Sequence, residues 1–120
     1  MHIRRAELKD MTGINKLLRQ VLMVHHNGRP DLFKAGAKKY TDEQLAELIQ
    51  DDTKPIFVCV DETRRGQHIG KSLYEYVLAY AKEKNFYNVT LNVWSLNESA
   101  MKFYEACGLK PQKIGMEHIL

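Results

Sequence analysis

Apolar positions along this chain recur with two different periods, and the changes of period mark out the elements. Ile14, Leu17, Leu18, Val21 and Leu22 recur at helical spacing. They predict a helix that opens at Lys9-Asp10, runs to about Met23, and is closed by the Gly and Pro of His25-His26-Asn27-Gly28-Arg29-Pro30. Thr41, with Gln44 three residues on, forms a capping box. It predicts a second helix whose buried face is Leu45, Leu48 and Ile49. Ile69, Leu73, Tyr76, Val77, Tyr80 and Ala81 define a third helix to about Lys84, with Asn85 as its stop. Asn97 caps a fourth, carrying Ala100, Phe103, Tyr104 and Ala106 and ended by Gly108. The remaining apolar segments read as strands. Met1–Leu8 starts as a short one. Ile56-Phe57-Val58-Cys59-Val60 is a continuous, β-branched run that reads as buried on both faces. Tyr87–Trp94 alternates Val89, Leu91 and Val93 against Thr90 and Asn92. Leu109–Leu120 reads as one or two short final strands with a kink at Gly115. The order β-α-α-β-α-β-α-β predicts an α/β or mixed α+β fold. With no repeat or Pro/Ser linker, residues 1–120 read as one domain.

Composition narrows the class further. The chain has 120 residues, 44% hydrophobic and 28% charged, an ordinary globular mix that can support one core. No apolar run approaches the ~20 residues of a membrane helix, and no apolar run follows Met1-His2-Ile3-Arg4-Arg5 to make a signal peptide. Cys59 and Cys107 form no disulfide framework, which points to a reducing compartment and a cytoplasmic location. The net charge of +3 favours an anionic ligand and is too small to argue for nucleic acid. His25-His26 lacks metal-ligand spacing to any other soft ligand, so no metal site is expected; the pair reads as flanking a pocket or as solvated. The basic stretch Lys34–Lys39, between Phe33 and Tyr40, reads as a solvated loop.

The chemistry lies in Val60-Asp61-Glu62-Thr63-Arg64-Arg65-Gly66-Gln67-His68-Ile69-Gly70-Lys71-Ser72. A strand runs into a basic, Gly-containing loop that opens a helix. That context builds an anion site from the free N–H groups of the first turn and the positive end of the helix dipole. Gly66 and Gly70 allow close backbone approach, and Arg64, Arg65 and Lys71 supply charge. Gly70-Lys71-Ser72 fits the end of a nucleotide-triphosphate loop. That pattern needs its first glycine at 65, where the residue is Arg.

Arg65-Gly66-Gln67-His68-Ile69-Gly70 fits a second pattern, [Q/R]-x-x-G-x-[G/A], with His68 in place of its first glycine. Asn97-Glu98-Ser99-Ala100-Met101-Lys102-Phe103-Tyr104-Glu105-Ala106-Cys107-Gly108-Leu109 fits N-x-x-A-x-x-x-Y-E-x-x-G-[FL]. Together the two stretches resemble the GNAT superfamily of acyl-CoA-dependent N-acyltransferases. The resemblance covers Met1–Ala6 and nearly everything from Cys59 onward. It implies a mixed α/β fold and transfer of an acetyl group from acetyl-CoA to a primary amine by direct attack. By the same resemblance, Val58, Cys59 and Val60 correspond to the strand end that pairs with the pantetheine arm. Arg65, Gly66, Gln67, His68, Ile69, Gly70 and Lys71 correspond to the pyrophosphate loop, Asn97 to the residue that bonds the amide arm, and Tyr104 to the general acid. The bland readings are that Asn97 is only a helix cap, Tyr104 a core-edge ring and Cys107 a small buried hydrophobe. Some relatives carry a basic Glu five residues before Asn97; Asn92 stands there and cannot accept a proton, which leaves water, Asp61, Glu62 or a His.

Against the family pattern the chain lacks about 25 residues, two strands of ~5–6 residues and their loops, between the second helix and the pyrophosphate loop. The expected join is at Val58–Cys59. Removing two successive strands of an antiparallel meander preserves direction, so Ile56–Val60 should pair with Met1–Ala6; the alternative is a break in the chain at the join. A sheet left open would invite dimerisation or swapping. Two other functions compete with the enzyme: a non-catalytic acyl-CoA-binding or dimerising relative, and a basic RNA- or phosphate-binding module.

Overall fold

The computed structural model describes residues 2–60 and 68–120. Its elements are β1 (His2–Arg5), α1 (Met11–Gly28), α2 (Asp42–Gln50), β2 (Phe57–Val60), α3 (Ile69–Glu83) and α4 (Glu98–Ala106), with a 3-10 turn at Leu8–Asp10 before α1.

β1 and β2 form an antiparallel two-stranded sheet in the register His2↔Val60, Ile3↔Cys59, Arg4↔Val58, Arg5↔Phe57. The Ala6 N–H extends the ladder to Ile56 O at 2.7 Å. The pairing expected of a shortened meander is therefore present. The register steps one for one through Val58 and Cys59.

The helix ends follow local chemistry. The Thr41 hydroxyl accepts from the Gln44 N–H at 3.1 Å, and the Gln44 side chain accepts from the Thr41 N–H at 2.9 Å, completing the capping box. Asn85 ends α3 with φ 59° and Gly108 ends α4 with φ 98°, both in the left-handed region. α1 runs five residues past the expected Met23, so His25 and His26 are helical. The stop comes only where Pro30 cannot continue the hydrogen-bond ladder.

The core is small. Ala6, Leu45 and Ile49 are buried together, with Met11, Ile14, Tyr40, Ile56 and Val58 packed around them. On the far side of β2, Phe57 meets Tyr76 and Tyr80 of α3 edge-on at ring distances of 5.0 and 5.3 Å. Three expectations are corrected. Phe57, Val58 and Cys59 are half-buried and Val60 is exposed, rather than the run being buried on both faces, and its second edge has no strand neighbour among the described residues. Leu17 and Val21, in the apolar stripe that the helical spacing predicts for α1, are nonetheless exposed. Tyr87–Trp94 and Leu109–Leu120 are not strands; among the described residues neither segment forms a ladder, although Tyr87–Trp94 has the alternating pattern. Period-2 patterning prepares a face for a sheet but does not supply the neighbouring strand.

A bidentate ion pair fixes how β1 enters α1. Arg4 donates to both Asp10 carboxylate oxygens at 2.8 and 2.9 Å, and the Glu7 N–H donates to the same carboxylate at 2.8 Å. The Arg4 guanidinium, then the Glu7 N–H, hold the Asp10 carboxyl down to about 2. A carboxyl lowered on folding stabilises the fold above its unfolded value near 3.8 and loses that contribution as pH falls toward 2. Asp10→Asn should cost about 1–2 kcal/mol at neutral pH and flatten the acid limb of stability between roughly pH 4 and 2, as read by denaturant titrations across that range.

Candidate functional site

The expected loop meets a helix whose start is unusual in charge. α2 and α4 carry acids in their first turns, Asp42 and Glu43 in one and Glu98 in the other. α1 and α3 carry none there, and of these two only α3 has a lysine in that turn, Lys71. Its N-cap, His68, is exposed, sits in the left-handed region at φ 58°, and makes no side-chain cap bond. The first helical bond is Ser72 N–H to His68 O at 2.9 Å. The N–H groups of Ile69, Gly70 and Lys71 precede it and have no acceptor within the helix. A first turn with a cation and no acid lacks the usual complement to the helix dipole and suits an external anion.

α4 lies across this turn. His68, Ile69, Gly70 and Lys71 face Phe103, Ala106 and Cys107 around an open cavity of about 520 Å³. Gly70 also has a packing role that its sequence context does not reveal. A Cβ there would stand 3.2 Å from Phe103 Cζ, so the Phe103 ring packs tightly on the bare backbone of the first turn. Phe103 and Tyr104 lie ring to ring at 5.4 Å, and Tyr104 is half-buried beside the cavity's lining residues, not among them.

The Asn97 side-chain oxygen accepts from the Ala100 N–H and the Ser99 hydroxyl, each at 3.3 Å. Asn97 is therefore a helix cap in fact, with its Nδ2 donors not used in that cap. Val58, Cys59 and Val60 lie on β2, whose edge away from β1 has no strand neighbour among the described residues. That edge offers backbone donors and acceptors to an extended ligand. Arg65, Gly66 and Gln67 lie outside the described residues, as do Asp61 and Glu62. The structure thus brings together His68, Ile69, Gly70 and Lys71 with α4. The residues present fit a phosphorylated ligand with an extended amide arm: an acid-free helix start, a lysine, a cavity and an open strand edge.

A second cluster lies at the end of α1. His25 packs on Phe33 at 4.9 Å and on Trp94 at 6.3 Å, and Phe33 meets Trp94 edge-on at 5.0 Å. His26 Nδ1 lies 2.6 Å from Phe33 O. Leu96 packs so closely on Gly28 that a Cβ there would stand 3.0 Å from it. The His pair is half-buried in this packing. Trp94, 69 residues away, could not be placed beside it from spacing alone. Among the described residues there is no grouping of side chains able to hold a metal, and no helix long and apolar enough to cross a membrane.

A family model described as the acetyltransferase (GNAT) family matches residues 35–109. No curated protein matches the chain. Among solved structures, it is similar to a tetramutant of the BH1408 protein from Bacillus halodurans, with 27% identity, a TM-score of 0.84, and coverage of 100% of both chains. It is equally similar to a single-substitution mutant of the same protein, with 26% identity and a TM-score of 0.84 over 100% of this chain and 99% of the other.

Proposed function

Because the chain belongs to the acetyltransferase (GNAT) family, we propose that it transfers an acetyl group from acetyl-CoA to a primary amine of a small molecule or peptide. The observation that carries this reading is the convergence of the acid-free start of α3, with Lys71, and α4 on one cavity of about 520 Å³. Acetyl-CoA, when bound, supplies an activated acyl group and a thiol as leaving group.

Each side chain then has a task. Lys71 and the first-turn N–H groups of α3, with Arg65, Gly66, Gln67 and His68, hold the pyrophosphate. Val58, Cys59 and Val60 pair their backbone with the amide arm along the open edge of β2, and Asn97 bonds that arm through its Nδ2. The neutral amine attacks the thioester carbon, the carbon–sulfur bond breaks, and Tyr104 Oη gives its proton to the departing sulfur. A phenol, ordinarily near pKa ~10, can protonate a thiolate whose conjugate acid lies near ~8.5 once the two are held together. The proton released from nitrogen goes to water, Asp61, Glu62 or a His, since Asn92 cannot take it, and Tyr104 recovers its own proton from solvent.

Thiol release from acetyl-CoA, scanned over a panel of primary amines, tests the reading; amine-dependent release is the expected result. Asn92 favours a second reading, an acyl-CoA-binding relative without catalysis, which predicts saturable binding of acetyl-CoA and no thiol release with any amine.

A further inference from the structure

A primary amine in neutral water is an ammonium ion, and it must lose a proton before its nitrogen can attack. Asn92 cannot take that proton. Among the described residues the histidines differ in their surroundings. His2 and His118 are exposed, and His68 stands exposed at the start of α3, at the phosphate end of the cavity. His25 and His26 are half-buried in the last turn of α1. Of the five, His26 is the one whose ring nitrogen has a hydrogen-bond partner among the described residues, with Nδ1 2.6 Å from Phe33 O. A carbonyl oxygen only accepts, so Nδ1 carries the hydrogen and the lone pair of the neutral ring lies on Nε2. A backbone acceptor on one nitrogen thus fixes the other as the atom that takes a proton.

The fold sets this ring at the segment that leads into α4. The His25 ring lies 6.3 Å from Trp94, and Leu96 packs on Gly28, so the last turn of α1 closes on residues 94–96. The Asn97 N–H donates to Trp94 O at 2.9 Å, tying that segment to the cap of α4. Asn97 and Tyr104, about two turns apart, share one face of α4. An arm bonded by Asn97 and protonated at sulfur by Tyr104 runs along that face, with the end of α1 at its Asn97 side. Trp94 keeps 49% of its surface accessible, which leaves an apolar face there for the carbon part of an amine. The titratable and charged groups of this corner are His25, Arg29 one turn on with Asp31 and Glu117 paired to it, and Lys34 next to Phe33 in the chain. Residues 94–96 carry none.

On the acetyl-transfer reading, on which this step rests, we infer that His26 Nε2 is the general base. It takes one proton from the alkylammonium. The freed lone pair forms the nitrogen–carbon bond as the carbon–sulfur bond breaks, and Tyr104 protonates the sulfur. The second proton of the nitrogen and that of the imidazolium pass to solvent, and Tyr104 draws one back, so one proton is released per turnover. The negative end of the α1 dipole lies at the imidazolium while it exists.

Hydroxylamine separates this role from a structural one, because its nitrogen is already unprotonated at neutral pH and needs no base to free its lone pair. His26→Asn keeps a donor near the Nδ1 position for Phe33 O and removes the proton acceptor. At neutral pH it should slow acetyl transfer to n-butylamine by roughly 10²-fold, and transfer to hydroxylamine by less than about threefold. The parent's rate with n-butylamine should level off above about pH 7, where an imidazole is neutral, while that of His26→Asn should climb roughly tenfold per pH unit with the free amine. His26→Gln should behave alike, and the emission of Trp94, the single tryptophan, should be unchanged in at least one of the two. Equal losses toward the two nucleophiles, a variant that keeps the parent's plateau, or a shifted emission in both variants would overturn the assignment of His26 and leave acetyl transfer standing. So would a parent that acetylates hydroxylamine and not n-butylamine. A parent that releases no thiol with either nucleophile would overturn acetyl transfer itself, and the base with it.

Discussion

Replacing Tyr104 by phenylalanine is expected to lower the turnover of acetyl transfer by roughly 10²–10³-fold while leaving acetyl-CoA affinity within about twofold. The substitution removes one atom, the phenolic oxygen. The ring that packs on Phe103 at 5.4 Å is kept, as is the backbone oxygen that accepts from the Leu109 and Cys107 N–H groups at the close of α4. A residue that only fills space would lose little by this change. A proton donor to sulfur would lose the step, and turnover should fall with KM for acetyl-CoA nearly constant. Steady-state kinetics on both substrates, with calorimetric affinity alongside, separates the two. Unchanged turnover would return Tyr104 to a packing role.

Gly70→Val should produce the next largest effect, on cofactor affinity. The new Cβ would stand 3.2 Å from Phe103 Cζ, and its methyls would press α4 away from the first turn of α3. The same methyls would enter the cavity between the helices and cover the N–H groups left for an anion. Acetyl-CoA affinity should fall by more than tenfold, whereas Gly70→Ala should cost a few-fold. Pairing Gly70→Val with Phe103→Leu should recover stability, because the ring is what the valine strikes. It should not recover affinity to the same degree, because the methyls still cover the turn. Thermal unfolding and binding, measured on the same four proteins, read the two effects apart. Equal affinity for Gly70→Val and the parent would remove the first turn of α3 from the cofactor site.

The elements that proved legible in the sequence were those specified by local chemistry. The capping box at Thr41 and Gln44, the Asn97 cap, the Gly108 stop and the apolar spacing of α3 each lie within a few residues of what they determine. The antiparallel pairing of β1 with β2 was legible too, from the family pattern and the direction that a meander keeps when two successive strands are removed. Other features depended on distant partners. Whether Tyr87–Trp94 becomes a strand depends on a neighbour its own alternation cannot supply. The exposure of Leu17 and Val21 depends on what packs against α1, which a helical period cannot report. Trp94 joins His25 and Phe33 across most of the chain length. At the site, the basic glycine loop and the Asn-to-Leu109 helix were readable as motifs. The second reason for Gly70, the Phe103 ring above it, was not, since it needs α3 and α4 brought face to face.

The central claim is that the start of α3, the open edge of β2 and α4 together hold an acyl-CoA. Titration calorimetry with acetyl-CoA tests it most directly. The account predicts saturable binding at one site per chain, weakened by Lys71→Ala and by rising salt, as expected for a pyrophosphate held by a lysine and helix N–H groups. No heat of binding from a folded protein, or binding indifferent to both Lys71→Ala and Gly70→Val, would contradict it.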